Sequence, residues 1–237
     1  MAEFSDSFYI VGHRGAAGER FENSLEGFEH ALTLAIDMIE IDIREHSSEI
    51  WVIHDHDLER LTGNAGYFAD RPDPSKIRLR NGEPVPTLRQ VLDLTWGKLP
   101  LNIEIKAVDD LELLLNLLAH YPQPDTTDGL PWNLISSFNH AALARLREME
   151  CPWPLAPISS GIPLQLEAEL EQIAPYSWHF DNEYLDFDLV RSLRAKGIPS
   201  LVFTVNDVER ARELKQAGVT GIFTDYPSKM LQIDQAL

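Results

Sequence analysis

The 237-residue chain has a single cysteine, Cys151, so no disulfide can close within it. It has no run of about 18 apolar residues, the length that spans a bilayer. Residues 1–6 are acidic and lack the charged-then-apolar stretch of a secretion signal. These absences point to a cytoplasmic protein with no stable membrane insertion. Positive charge is scarce, with 20 Lys and Arg against 38 Asp and Glu and a formal net charge of −18. Such a surface repels nucleic acid and anionic membranes. It also repels an anionic small substrate unless the site carries its own cation; simple solubility is the other reading of the charge. No GxGxxG fingerprint is present, which weighs against a doubly wound dinucleotide-binding sheet.

Apolar content is ample. Hydrophobic residues make up 44% of the chain and charged residues 24%, proportions ordinary for a globular protein with a full core. Strand-like and helix-like stretches alternate throughout. Residues 8–11 form an apolar run ending at Gly12-His13-Arg14-Gly15, and 24–36 carry apolar residues at helical spacing, with Asn23 or Ser24 as the cap. Residues 38–43 are β-branched and carry Glu40 and Asp42. About six polar residues later, 50–53 form a second strand-like run. That gap is too short for a parallel crossover, so the two runs pair as an antiparallel hairpin. Further strands are expected at 101–105, 134–136, 155–158, 176–180, 200–205 and 221–224. Helices are expected at 111–118, 141–149, 164–173, 187–195 and 208–217. With the hairpin counted once, eight strand units alternate with helices, the pattern of a (β/α)8 TIM barrel, with an open doubly wound sheet as the alternative. A single domain over 1–237 is expected. Residues 57–87 would form a small inserted loop at the barrel mouth, rich in turn residues and weak in periodicity.

In such a barrel, chemistry gathers where the strands end. Glu40 and Asp42 are two apart on one strand and share a face, as do Glu104 and Lys106 on the next. Carboxylates turned into a barrel are unfavourable unless paired or bound to metal. Glu104 alone reads equally well as a partner of Lys106 or Arg14. Glu40, Asp42 and Glu104 together read as a site for one divalent cation, and oxygen ligands favour Mg²⁺ or Ca²⁺. His13 and His54 end adjacent strands, and two imidazoles suit acid and base roles in P–O cleavage. His54 faces the carboxylates only if its register against the second strand has the right parity. Each of the two alone reads as structural, and so do His30, His46, His56, His120, His140 and His179. Arg14 and Lys106 are the cations at hand for phosphate oxygens.

Five short motifs occur in order: His13-Arg14-Gly15, Glu22-Asn23-Ser24, Glu40-Ile41-Asp42, His54-Asp55 and Glu104-Ile105-Lys106. With Pro86-Thr87-Leu88 and Phe203-Thr204-Val205-Asn206, they make the chain resemble the glycerophosphodiester phosphodiesterase family over nearly its whole length. The resemblance implies metal-dependent hydrolysis of a small glycerophosphodiester to an alcohol and sn-glycerol 3-phosphate. It implies Glu40, Asp42 and Glu104 as metal ligands, His13 and His54 as acid and base, and Arg14 and Lys106 as phosphate contacts. Asn23 would support the substrate site and Phe203 line it. Phe203 stands where the family commonly has tryptophan, the hairpin tip His46-Ser47-Ser48-Glu49 lacks the usual lysine-aspartate-glycine turn, and Ser24 replaces a common threonine. A lysophospholipase D or other phospholipase-like barrel is the nearest rival, although the inserted segment is polar, with Arg71, Asp73, Lys76, Arg78 and Arg80. A non-catalytic phosphate-binding barrel is a rival from another class, but no histidine or carboxylate is missing. A homodimer is compatible with the sequence.

Overall fold

Strands and helices alternate from β1 (Tyr9–Gly12) through α1 (Leu25–Ala31), β2 (Met38–His46), β3 (Glu49–Val52), α2 (Glu59–Thr62) and α3 (Leu88–Thr95). The order continues with β4 (Leu101–Ala107), α4 (Leu111–Leu118), β5 (Asn133–Ser137), α5 (His140–Glu148), β6 (Leu155–Ser159) and α6 (Leu166–Ile173). It ends with β7 (Trp178–Asp181), α7 (Phe187–Ala195), β8 (Ser200–Phe203), α8 (Val208–Gln216), β9 (Gly221–Thr224) and α9 (Pro227–Met230). This computed structural model describes residues 8–122 and 131–233. The amino-terminal stretch 1–6, read above for a signal, lies outside the described residues. Among the described residues, no helix is long and apolar enough to cross a membrane.

The sheet runs β1-β9-β8-β7-β6-β5-β4-β2-β3, and β1 also pairs with β2. Eight strands are therefore parallel and closed into the expected (β/α)8 barrel, with β3 antiparallel on β2. Strand alternation divides the apolar residues into two cores. Outward Ile39, Ile41, Ile43, Leu101, Ile103, Ile105 and Ile135 pack under the helices. Inward Val11, Met38, Leu134, Ala156, Leu201 and Phe223 fill the barrel itself.

β2 is long enough to pass the rim. Its upper half, from Ile43 to His46, pairs with β3, and the chain returns to the level of Asp42, where the Ile53 amide donates to the Asp42 carbonyl at 2.9 Å. That register turns His54 into the mouth.

Several expectations change in detail. The first helix stops at Ala31 rather than at 36, and Ser24 is its cap, its hydroxyl accepting from the Gly27 amide. Helix α3 falls in a stretch for which no element was expected. It carries a reciprocal capping box between Thr87 and Gln90 and buries Leu88, Val91, Leu92 and Thr95. Residues 57–87 have more structure than a loop. Besides α2, they hold short 3₁₀ turns at Phe68–Asp70 and Pro74–Lys76. Leu58, Leu61, Phe68, Ile77, Leu79 and Val85 join Trp51 and Ile53 in a separate apolar cluster beneath the hairpin.

Candidate active site

The neighbouring inward faces of β2 and β4 place Glu40 beside Asn102 and Asp42 beside Glu104. Glu40, Asp42 and Glu104 are all buried, and one oxygen from each lies within 4.8 Å of the others. The protein fixes one oxygen of each β2 carboxylate. The Arg14 amide donates to Glu40 Oε2 at 2.7 Å, and Asn23 Nδ2 donates to Asp42 Oδ2 at 2.8 Å. Glu40 Oε1 has no hydrogen-bond partner. Asp42 Oδ1 and Glu104 Oε1 have no aligned donor either, though the Lys106 ammonium stands 3.2 Å from Asp42 Oδ1 and in contact with Glu104 Oε1.

Burial first, and then the neighbouring carboxylates, push Glu40 well above the usual carboxyl range. The same causes raise Glu104 to about 7. Asp42 is lowered despite its burial, because Lys106 and Arg14 stand beside it. A buried set of oxygen donors that hold excess negative charge and lack aligned donors fits a hard divalent cation.

The loop after β1 supplies the other side of the site. Arg14 Nε lies 3.2 Å from Asp42 Oδ2, and its Nη1 donates to Glu22 at 2.8 Å. Burial works against the Arg14 charge, but Asp42, Glu22 and Glu40 outweigh it and raise its pKa. Arg14 and Asn23 both adopt left-handed backbone, with φ of 51° and 50°. Such a conformation costs about 1–3 kcal/mol at a non-glycine residue, and here the Asn23 amide bonds back to the Arg14 carbonyl at 3.0 Å. Gly12 is required by contact, since a Cβ there would lie 2.1 Å from the Gly15 carbonyl oxygen.

The two histidines are held alike. His13 Nδ1 lies 2.6 Å from Asp225 Oδ1, and Asn206 Nδ2 donates to the other Asp225 oxygen at 2.7 Å. His54 Nδ1 lies 2.6 Å from Asp55 Oδ1, while Arg60 Nε donates to Asp55 Oδ2 at 2.7 Å. In each case the aspartate fixes Nδ1 as the protonated nitrogen and leaves the lone pair on Nε2. Burial lowers the His54 pKa below that of a free imidazole, against the pull of Asp42. Both rings line a cavity of about 320 Å³ together with Arg14, Glu40, Glu104, Lys106, Phe138 and Phe203. The rings of Phe138 and Phe203 meet edge-on with centroids 5.8 Å apart, and Lys106 Nζ lies 5.5 Å from the Phe138 centroid.

A sequence model of the glycerophosphoryl diester phosphodiesterase family matches residues 13–229. The chain belongs to that family. A glycerophosphodiester phosphodiesterase of Bacillus altitudinis is 27% identical over 247 residues, covering 96% of this chain and 98% of the relative. A lysophospholipase D of Homo sapiens is 24% identical over 265 residues, covering 93% and 84%. In fold, the chain superposes with a TM-score of 0.87 on an Oleispira antarctica phosphodiesterase solved with the product sn-glycerol-3-phosphate. That comparison has 24% identity and covers 96% of this chain and 97% of the other.

Measured against what the glycerophosphoryl diester phosphodiesterase resemblance implied, the barrel gathers His13, His54, Arg14, Lys106, Glu40, Glu104 and Phe203 around one cavity, with Asp42 buried directly behind. Asn23 was expected to support the substrate site. It does not line the cavity, and both ends of its amide serve Asp42, with Oδ1 accepting from the Asp42 amide at 3.3 Å. The sequence reading missed Asp225 as the partner of His13, Asn206 as the anchor of Asp225, and Arg60 as the anchor of Asp55. The Thr224-Asp225 step at the end of the last strand was the available signal, because strand ends are where site residues lie. His179, read as structural, also lines the cavity.

Proposed function

We infer that the chain hydrolyses glycerophosphodiesters to an alcohol and sn-glycerol 3-phosphate. The observation that carries this reading is the pair of aspartate-held histidines facing one cavity beside a buried carboxylate triad. Glu40, Asp42 and Glu104 would hold the metal, Mg²⁺ or Ca²⁺ by their oxygen chemistry. When bound, the cation supplies Lewis-acid polarisation of the phosphate. With the charge of the triad neutralised, Arg14 and Lys106 are left to bind phosphate oxygens. One histidine takes the proton of the oxygen nucleophile through Nε2; that nucleophile is water, or the glycerol 2-hydroxyl, whose attack gives a cyclic glycerol phosphate that water then opens to sn-glycerol 3-phosphate. The other, protonated at Nε2, gives its proton to the departing alkoxide as the P–O bond breaks. Asp225 and Asp55 hold the two rings in the required tautomer. The polar surface of residues 57–87, with Arg71, Lys76, Arg78 and Arg80, supports a soluble diester as substrate. The single buried cysteine supports a cytoplasmic setting, and size measurement in solution tests for a homodimer.

The test is release of sn-glycerol 3-phosphate from glycerophosphocholine and glycerophosphoethanolamine with Mg²⁺, with Ca²⁺ and with EDTA. Release that EDTA abolishes is expected. His13→Ala and His54→Ala should each lower turnover by about a hundredfold or more while leaving the fold intact. Near-full activity in either variant would remove that histidine from the mechanism.

A further inference from the structure

Among the polar side chains of the cavity that the reaction above does not use, which include Asp181 and Thr204, two carry a buried atom without a partner. His179, on the inward face of β7, is 1% exposed; its Nε2 lies 3.1 Å from Ser177 Oγ, and its ring packs edge-on against Phe223 with centroids 4.9 Å apart. Its Nδ1 is buried without a hydrogen-bond partner. Asn102, on the inward face of β4, is also 1% exposed, and its Oδ1 is equally without a partner. Both residues line the catalytic cavity. Buried polar atoms are nearly always bonded, so two orphans on residues that line one cavity mark a place for a polar group.

We propose that Asn102 and His179 form the subsite that reads the free hydroxyls of the glycerol moiety; this rests on the reaction assigned above. Depth is the first argument. On β4, Asn102, level with Glu40, precedes Glu104 by one inward step and Lys106 by two, and on β7 His179 precedes Asp181, so the pair lies below Glu104, Lys106 and Asp181. Among glycerophosphodiesters the alcohol half varies and the glycerol half does not. The variable half needs the open mouth, and the constant half suits the closed end.

Chemical complementarity is the second argument. The Ser177 hydroxyl can donate to or accept from His179 Nε2, so Nδ1 presents either an N–H or a lone pair. The Asn102 carboxamide offers both kinds of partner. A hydroxyl, at once donor and acceptor, satisfies either tautomer, while the anionic phosphate is drawn to Arg14 and Lys106. Burial holds the His179 pKa down at about 3, which keeps the ring neutral.

The experiment measures binding of sn-glycerol 3-phosphate and of ethyl phosphate, which lacks the hydroxyls, to the Mg²⁺-loaded protein by calorimetry. Wild type should bind sn-glycerol 3-phosphate more tightly. His179→Phe should lose about tenfold in that affinity, the worth of one hydrogen bond, and keep its affinity for ethyl phosphate. Its Tm should hold or rise, because a desolvated polar atom has been removed. His179→Gln, which retains a donor and an acceptor, should restore most of the discrimination. His179→Leu takes the place of H179F if the latter does not fold. Equal losses for both ligands, or unchanged sn-glycerol 3-phosphate affinity in a folded variant, would show that the two atoms meet only solvent and overturn the proposal. Diester turnover by wild type without discrimination between the two ligands would sink the subsite alone. Absence of turnover on any diester would instead sink the reaction assignment.

Discussion

At the scale of single residues, the site depends on groups whose charge is set by their neighbours. Asp225 fixes the His13 tautomer from the far end of the chain, 212 residues away. Asp225→Asn keeps the shape but presents a donor to Nδ1. It should lower kcat by on the order of a hundredfold or more with little change in KM, as steady-state kinetics would show. Glu104 links the site to stability. Its carboxyl titrates near 4.5 when unfolded and about 7 in the metal-free fold, so the native state holds a proton that the unfolded chain has released. The favourable contribution is therefore fully present below pH 4.5 and is lost as pH rises through about 7. Urea midpoints of the metal-free protein should fall across that window. Addition of Mg²⁺ at pH 6 should release protons, detectable as a dependence of calorimetric heat on the buffer. A midpoint that does not fall, or heat independent of the buffer, would contradict this linkage.

At the scale of elements, local sequence chemistry decided what could be read in advance. The β2–β3 hairpin was legible because about six residues cannot span a parallel crossover. Helices α4 and α7 were legible end to end from their apolar spacing. Helix α3 was overlooked although Thr87 and Gln90 spell its capping box and Leu88, Val91 and Leu92 its buried face. Thr87→Ala should destabilise the protein by about 1 kcal/mol in urea unfolding and leave kcat unchanged, since Thr87 does not line the cavity. The cluster under the hairpin was not legible. Its members, from Leu58 to Val85, follow neither the helical nor the strand period, and they meet only because the chain folds back beneath Trp51 and Phe68. The cavity role of His179 was hidden for a related reason. Strand parity puts it inside, but its unpartnered Nδ1 is a property of the packed barrel.

At the scale of the whole molecule, strand–helix alternation was enough to suggest the barrel, and closure of β1 on both β2 and β9 completes it. Val11, Met38, Leu134, Ala156, Leu201 and Phe223 then plug the interior below the catalytic groups. The cavity is consequently a cul-de-sac, and all traffic uses one doorway. With the glycerol half innermost, the alcohol stands nearer the exit and leaves first. A new diester cannot enter until sn-glycerol 3-phosphate has followed. In initial-rate assays, added sn-glycerol 3-phosphate should therefore raise the apparent KM for the diester, while added choline leaves it unchanged; the reverse pattern would mean that the diester enters the other way round. The plug that gives the barrel its core thus also sets a queue, in which the product carrying the phosphate is always last out.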